Sequence, residues 1–358
     1  MAHAASGFFG YDAGVSNFTQ DANGTVHYSI SLGEQSNYVT FNAGSVLMDG
    51  DEYKLAKKTM GYIKNHVFRD VYHAKMIIDL SWVLFAQPAS NVTVDCTEYG
   101  GSATERAPWI VRNYDPDTNN RWGGRLNELM TYYDPAYGQT VAQILNDPAN
   151  VAGIIVQAEI NNSCLPSSAI QTIAQRVHTF LPNVPVIGGY ATSIFWDQRT
   201  KQLPSGGYPA ALDQILFWSY GIYNPNDINA AKNYTNYTTY PIGDPRNNHG
   251  YFFNQYDPAA TWTTWGSLLA KRTNNPNQKF MVIVEGFHHG TGTSLDSHGL
   301  SIPDMGALAQ NWGTWIKGRP EVVGSLIFLW PDFDVNVPGS KTMMINDAVR
   351  LGQDSIWP

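Results

Sequence analysis

Charge is what this chain has least of. Only 15% of its 358 residues are Asp, Glu, Lys or Arg, against about a quarter in an ordinary globular protein. No basic run or Arg/Lys-rich helix occurs, and the net charge is −8. Nucleic-acid affinity comes largely from neutralising phosphates, so no nucleic acid is expected as a partner. No stretch approaches the ~20 apolar residues that a bilayer-spanning helix needs, so no membrane partner is expected either. The opening residues, Met1 to Ser6, lack a basic region followed by an apolar core. They read as a trimmed mature start with an added initiator rather than as a signal peptide.

Several chemical signatures are missing as well. No G-x-G-x-x-G follows an early strand and no G-x-x-x-x-G-K-S/T occurs, which removes the best evidence for a doubly wound nucleotide-binding fold. G-x-S-x-G is absent, so the elbow of a serine hydrolase is missing. There is no H-E-x-x-H. The adjacent His288 and His289 point opposite ways in an extended segment and rarely share one ion. His288 is read instead as a substrate-binding or loop-stabilising residue, and no metal or cofactor is expected. Two cysteines, Cys96 and Cys164, cannot build a four-thiolate zinc site. They are either one bridge between loops that follow different strands or two unrelated thiols.

What the chain has in quantity is aromatic rings and amides. There are 11 Trp, 20 Tyr and 15 Phe, and Asn-rich polar stretches stand where charge would normally be. Such a surface suits a neutral, hydroxylated ligand; the alternative is a large aromatic core with Asn in the turns. Asn-x-Ser/Thr occurs at Asn17, Asn23, Asn91, Asn161, Asn233 and Asn236. That number favours a secreted protein that carries N-linked glycans.

The stretch Val151–Ile160 organises the rest. A run of apolar and small residues, β-branched at Val151, Ile154, Ile155 and Val156, leads into Glu159. A strand buried on both faces reads this way, having no solvent side on which to alternate. Lys279–Gly286 repeats the grammar, ending in Glu285. Further strands are expected at Gly7–Asp12, Ala74–Leu80 (carrying Asp79, with Ser81 and Trp82 after it), Val184–Ile187, Leu212–Tyr220 and Val322–Leu329. The alternation from Thr25 to Ala43 suits a hairpin, either decorating the first loop or sending its second arm into the main sheet. Residues 108–113 offer another strand, so the second and third strands are not separable within 37–113. Helices are expected over Asp51–Phe68, within Trp122–Asn146 with a break near Asp134-Pro135, and over Pro166–Phe180, Trp262–Arg272 and Pro303–Lys317.

Strands and helices therefore alternate, with long loops after the strands and short ones before them. That asymmetry is the mark of an α/β fold of the (β/α)8 TIM-barrel type. We expect one catalytic barrel domain over 1–358, with a hairpin-like elaboration around 25–45.

Cleaving a glycosidic bond takes one carboxylic acid to protonate the leaving oxygen and a second carboxylate to attack carbon or activate water. Glu159 and Glu285 have that chemistry, and in a barrel they share the C-terminal face. Tyr220 ends one strand, and its hydroxyl would orient the nucleophile. Trp330 ends the last strand and would floor a sugar ring. Asp79 would bind hydroxyls or tune the acid. Asp12 and Asp332 are further strand-end acids, while Trp82 and Trp218 cluster with Trp109 and Trp196 near strand ends as stacking surfaces. Packing at the barrel rim is the plainer explanation for each of these.

This arrangement resembles the large clan of retaining (β/α)8 glycoside hydrolases, whose acid/base follows strand four and whose nucleophile follows strand seven. The resemblance spans residues 151–334 and is one of pattern. It implies Glu159 as acid/base, Glu285 as nucleophile, Tyr220 as its hydroxyl partner and Trp330 as the strand-eight tryptophan. Members place Asn immediately before the acid/base glutamate. Here the residue is Ala158, with Gln157 before it and Asn161 and Asn162 after, which offers Gln157 or Asn161 as the contact to the sugar 2-hydroxyl. The expected activity is hydrolysis of a neutral oligo- or polysaccharide with retention. The alternatives are a non-catalytic carbohydrate-binding barrel and an inverting enzyme with Asp332 or Asp334 as its second acid.

Overall fold

The computed structural model describes residues 8–13, 18–20, 26–28, 38–42, 75–86, 88, 92–112, 121–135, 138–191, 202–219, 265–285 and 319–329. Eight strands close into one barrel. They are β1 (Phe8–Ala13), β2 (Tyr38–Asn42), β3 (Lys75–Asp79), β4 (Val151–Gln157), β5 (Val186–Ala191), β6 (Gln214–Ser219), β7 (Lys279–Glu285) and β8 (Val322–Leu329). Every neighbouring pair is parallel, and β1 bonds to both β8 and β2, which closes the ring. This is the (β/α)8 barrel that the alternation of strands and helices predicts.

Burial explains the composition of β4. Six of its seven residues are buried, with only Ala152 intermediate. Barrel filling covers one face of such a strand and helices the other, which is why no polar residue alternates along it. Helix α4 (Ser167–Phe180) supplies part of that cover, and the stripe Ile170, Ile173, Ala174 and Val177 is the face it buries. Each large apolar side chain on that stripe contributes about 1.5–3 kcal/mol.

The uncertain stretch between residues 37 and 113 is settled by pairing. Tyr38–Asn42 is the second strand and Lys75–Asp79 the third, in register from Tyr38 against Lys75 to Asn42 against Asp79. Ile110–Val111 lies outside the barrel, antiparallel to Phe85–Ala86. The hairpin near the N-terminus is Phe18–Gln20 against Val26–Tyr28. Tyr38–Phe41 joins the main sheet as part of β2, the second of the two alternatives, but the partner of Val26–Tyr28 in the hairpin is Phe18–Gln20. Within 122–146 the break at Asp134-Pro135 is a short ribbon, Tyr133–Asp134 against Gln139–Thr140. It separates α2 (Trp122–Thr131) from α3 (Val141–Leu145). Thr140 and Gln143 close a reciprocal capping box on α3, which satisfies amide donors the helix itself cannot. Strand β5 runs on to Ala191, past the Gly188–Gly189 pair at which the sequence predicts its end. The expected helices 51–68 and 303–317 lie outside the described residues.

Cys96 and Cys164 form a disulfide, with their Cα atoms 4.9 Å apart. It ties the loop after β3 to the turn after β4. The same junction is held by the Tyr99 hydroxyl, which donates to the Leu165 carbonyl at 2.5 Å, and by Glu98, which accepts from the Ser167 amide at 3.1 Å. The cysteines are 68 positions apart, so the bridge removes considerable freedom from the unfolded chain. Replacing both with serine is expected to lower stability by up to about 4 kcal/mol. Urea titration should show that loss, and reductant should reproduce it in the natural chain while leaving the double variant unchanged.

The opposite end of the barrel carries a titratable tie. His178, in the last turn of α4, has its Nε2 3.1 Å from Asp213 Oδ2 and 3.1 Å from the Ala211 carbonyl. Asp213 Oδ2 also accepts from the Val186 amide at 2.8 Å, at the start of β5. The hydrogen bond to Asp213 holds the His178 imidazole protonated above its ordinary range, against the smaller opposing effect of burial. Because the folded value is raised, the stabilisation is complete below pH about 6.5 and fades as pH climbs through the raised value. His178→Gln is therefore expected to lower the melting temperature at pH 5.5 more than at pH 9. Melting curves of both proteins at the two pH values test this, and an equal gap at both would contradict it.

Candidate functional site

All eight strands run the same way around a closed ring, so their C-terminal ends share one face. Glu159 stands two residues beyond β4, and Glu285 is the last residue of β7. Strands β5 and β6 lie between them in the ring. Glu285 is in register with Phe328 of β8. The two acids singled out from the sequence are thus brought to the same end of the barrel, after its fourth and seventh strands.

Asp79 ends β3, beside β4, in register with Ile155. It is 9% exposed. Its Oδ1 accepts from the Ser81 amide at 2.7 Å and from the Ser81 hydroxyl at 2.5 Å. The carboxylate so placed holds the first turn of helix α1 (Ser81–Leu84). Ser81 Oγ in turn lies 3.3 Å from Gln157 Oε1. The signal for this contact is present in Asp79-Leu80-Ser81, since an Asp side chain readily bonds the amide two residues on.

Gln157 is buried, at 2% exposure. Its Oε1 accepts from the amides of Ala158 at 2.8 Å and Glu159 at 3.3 Å. The pairing of β4 with β5 shifts register between Ile155 and Gln157, and such irregularities re-aim the residues that follow them. On the far side of Glu159 the chain is pinned to β5. The Ile160 amide donates to the Gly189 carbonyl at 3.0 Å. Asn161 Nδ2 donates to the Ala191 carbonyl at 2.7 Å, and Asn161 Oδ1 accepts from the Ala191 amide at 2.9 Å.

Asn161 ties this turn to β5. It is fully buried, and its amide bonds both backbone groups of Ala191. Of the six Asn-x-Ser/Thr asparagines, Asn161 alone lies among the described residues.

Glycine explains how closely β5 can approach. A Cβ on Gly189 would come within 2.6 Å of the Ala158 Cα and would overlap its carbonyl. Only a residue without a side chain lets the Ala158–Glu159 segment lie against β5. The pair Gly188-Gly189 at a strand end carries this signal in the sequence, and Ser81 and Gly189 join the site as residues that sequence reasoning did not select.

Glu159 is partly covered, and burial raises its carboxyl above the usual carboxylate range. Desolvation penalises the ionised form and keeps a proton on the group at higher pH. A carboxyl in this condition suits a general acid.

For Asp12, Trp82, Trp218 and Glu285 the backbone alone is placed. Asp12 is the penultimate residue of β1, paired with Thr40 and Phe328. Trp82 lies in α1 just past β3, and Trp218 is near the end of β6, paired with Ala191 and Ile283. Tyr220 and Trp330 are next in sequence after the last residues of β6 and β8, and they lie outside the described residues with His288, Asp332 and Asp334. Among the described residues no group of three metal-ligating side chains converges, and no helix is long and apolar enough to cross a membrane.

No family model matches the sequence, and no curated protein matches it. Similarity to solved structures is found in the fold. A hyperthermostable endo-1,4-β-D-mannanase from Thermotoga petrophila RKU-1, solved with maltose and glycerol, superposes with a TM-score of 0.52 at 10% identity, covering 96% of this chain and 99% of its own. The X-ray structure of the endo-β-1,4-mannanase from Thermotoga petrophila gives a TM-score of 0.51 at 8% identity, covering 97% and 77%. The chain thus has the barrel fold of those enzymes.

Proposed function

We propose that this protein is a secreted retaining glycoside hydrolase acting on a neutral oligo- or polysaccharide. One observation carries the reading. A carboxyl that burial pushes above the usual carboxylate range, Glu159, and a second acid, Glu285, follow the fourth and seventh strands of one parallel barrel and so share its C-terminal face. The scarcity of charge supports a neutral substrate, and the disulfide supports an oxidising compartment.

In this reaction the Glu285 carboxylate attacks the anomeric carbon as the bond from that carbon to the leaving oxygen breaks. Glu159 delivers its proton to that oxygen. The carboxylate of Glu159 then takes a proton from water as the water oxygen displaces Glu285 from the sugar, restoring both groups. Retention by this route requires the two carboxyl groups to lie about 5–5.5 Å apart in the working enzyme; inversion would need about 6.5–9.5 Å.

The test is a panel of neutral polysaccharides that includes β-1,4-mannan, the substrate named for the two Thermotoga barrels. We expect hydrolysis of at least one, with proton NMR showing the first-formed product in the anomeric configuration of the substrate. Glu159→Gln and Glu285→Gln should each lower kcat/KM by at least about 10³-fold on that polymer while melting as the natural protein does. Full activity in either variant would remove that residue from the mechanism. Opposite configuration in the product would turn the assignment to an inverting enzyme.

A further inference from the structure

We infer that Gln157 is a positioning residue for the Glu159 carboxyl, an inference that rests on the glycosidase reading above. Gln157 ends β4 where its pairing with β5 slips register, so the two peptide groups that follow leave the regular ladder. Its own amide oxygen collects both of their N–H groups, at 2.8 Å from Ala158 and 3.3 Å from Glu159. Downstream, the Ile160 amide and the Asn161 side chain are bonded to Gly189 and Ala191 of β5. The Ser163 amide donates to the Glu159 carbonyl at 3.0 Å. Glu159 is therefore bracketed, held before by Gln157 and after by β5.

The direction of the Gln157 amide is fixed by these contacts. Turning it over would face its NH2 group towards two N–H donors. The Ser81 hydroxyl has a single proton, and the shorter contact, to Asp79 at 2.5 Å, claims it over Gln157 at 3.3 Å. What is left over is the Gln157 NH2 itself. Nε2 is buried and, among the described residues, has no hydrogen-bond partner. A buried donor left unpaired costs its full desolvation, so this side chain is a poor choice for stability alone. Its oxygen does what an apolar side chain of that length cannot: it sets the path of the backbone into Glu159.

The experiment compares Gln157→Met, which keeps the length and loses the oxygen, with Gln157→Glu, which keeps an oxygen acceptor. Each is assayed by kcat/KM on the polysaccharide that the natural enzyme cleaves, and on the 2,4-dinitrophenyl glycoside of the sugar it releases. Dinitrophenolate departs without a proton, so the second substrate does not need a well-placed acid. A misplaced acid predicts a loss of about 10²-fold for Gln157→Met on the polysaccharide, with less than about tenfold on the dinitrophenyl glycoside. Gln157→Glu should recover most of the polysaccharide rate, with the alkaline limb of its pH profile moved upward by the added negative charge. Equal losses on both substrates would make Gln157 merely structural and overturn the inference. So would an unaffected Gln157→Met, or a Gln157→Glu no better than Gln157→Met. If Gln157→Met is unaffected while Glu159→Gln is inactive, this inference fails alone; an active Glu159→Gln takes the glycosidase reading down with it.

Discussion

Closure of the ring is the constraint on which the rest depends. A parallel strand at the edge of an open sheet presents a row of unpaired amides and carbonyls, and only closure removes both edges at once. Here β1 does this, bonding through Phe8–Ala13 to Gly324–Leu329 on one side and through Gly10–Asp12 to Tyr38–Thr40 on the other. Because every pairing is parallel, closure also gathers all eight strand ends on one face. Acids separated by more than a hundred positions of chain come to one surface without any contact between their own loops. The backbone bonds of the scaffold thus determine where chemistry can occur, and the loops determine which chemistry it is.

Within that frame, the turn after β4 is held more firmly than a surface loop needs to be. Asn161 bonds both backbone groups of Ala191, Gly189 allows the close approach of Ala158, and Cys164 is linked to Cys96. The Gln202 amide donates to the Tyr99 carbonyl at 2.9 Å, and the Ser205 amide to the Glu98 carbonyl at 3.0 Å. Segments following β3, β4 and β5 are thereby locked to one another. Rigid support has a chemical consequence. A carboxyl keeps a raised proton affinity only while its surroundings exclude water, and a loose turn would let solvent restore the ordinary value.

The barrel was legible in the sequence because strands buried on both faces announce themselves. The bounds of β7 and β8 agree with the hydrophobic runs from Lys279 and Val322, and the buried stripe of α4 agrees with the helical spacing of its apolar residues. What the sequence did not separate was Tyr38–Asn42 from Ile110–Val111, since short β-prone runs look alike until pairing partners are known. The end of β5 was missed because glycine is usually a strand breaker, and here it serves close packing. Of the candidate site, Asp79, Gln157 and Glu159 were legible as polar residues at the ends of apolar strands. The burial of Asn161 was not, because an Asn beyond a strand end reads equally well as a surface turn and as a tie to a neighbouring strand.

The amides around Glu159 also bear on how its turn is held. Gln157 and Asn161 flank the acid, and the oxygens of both are engaged by the backbone. Asn161 donates to the backbone as well, and both residues are buried. An amide used this way holds the backbone, its orientation fixed by the bonds it makes. In the clan that this chain resembles, Asn stands directly before the acid. In this chain Ala158 occupies that position and has no polar group to offer. The turn after β4 thus holds Glu159 through Gln157 on one side and through Asn161 on the other.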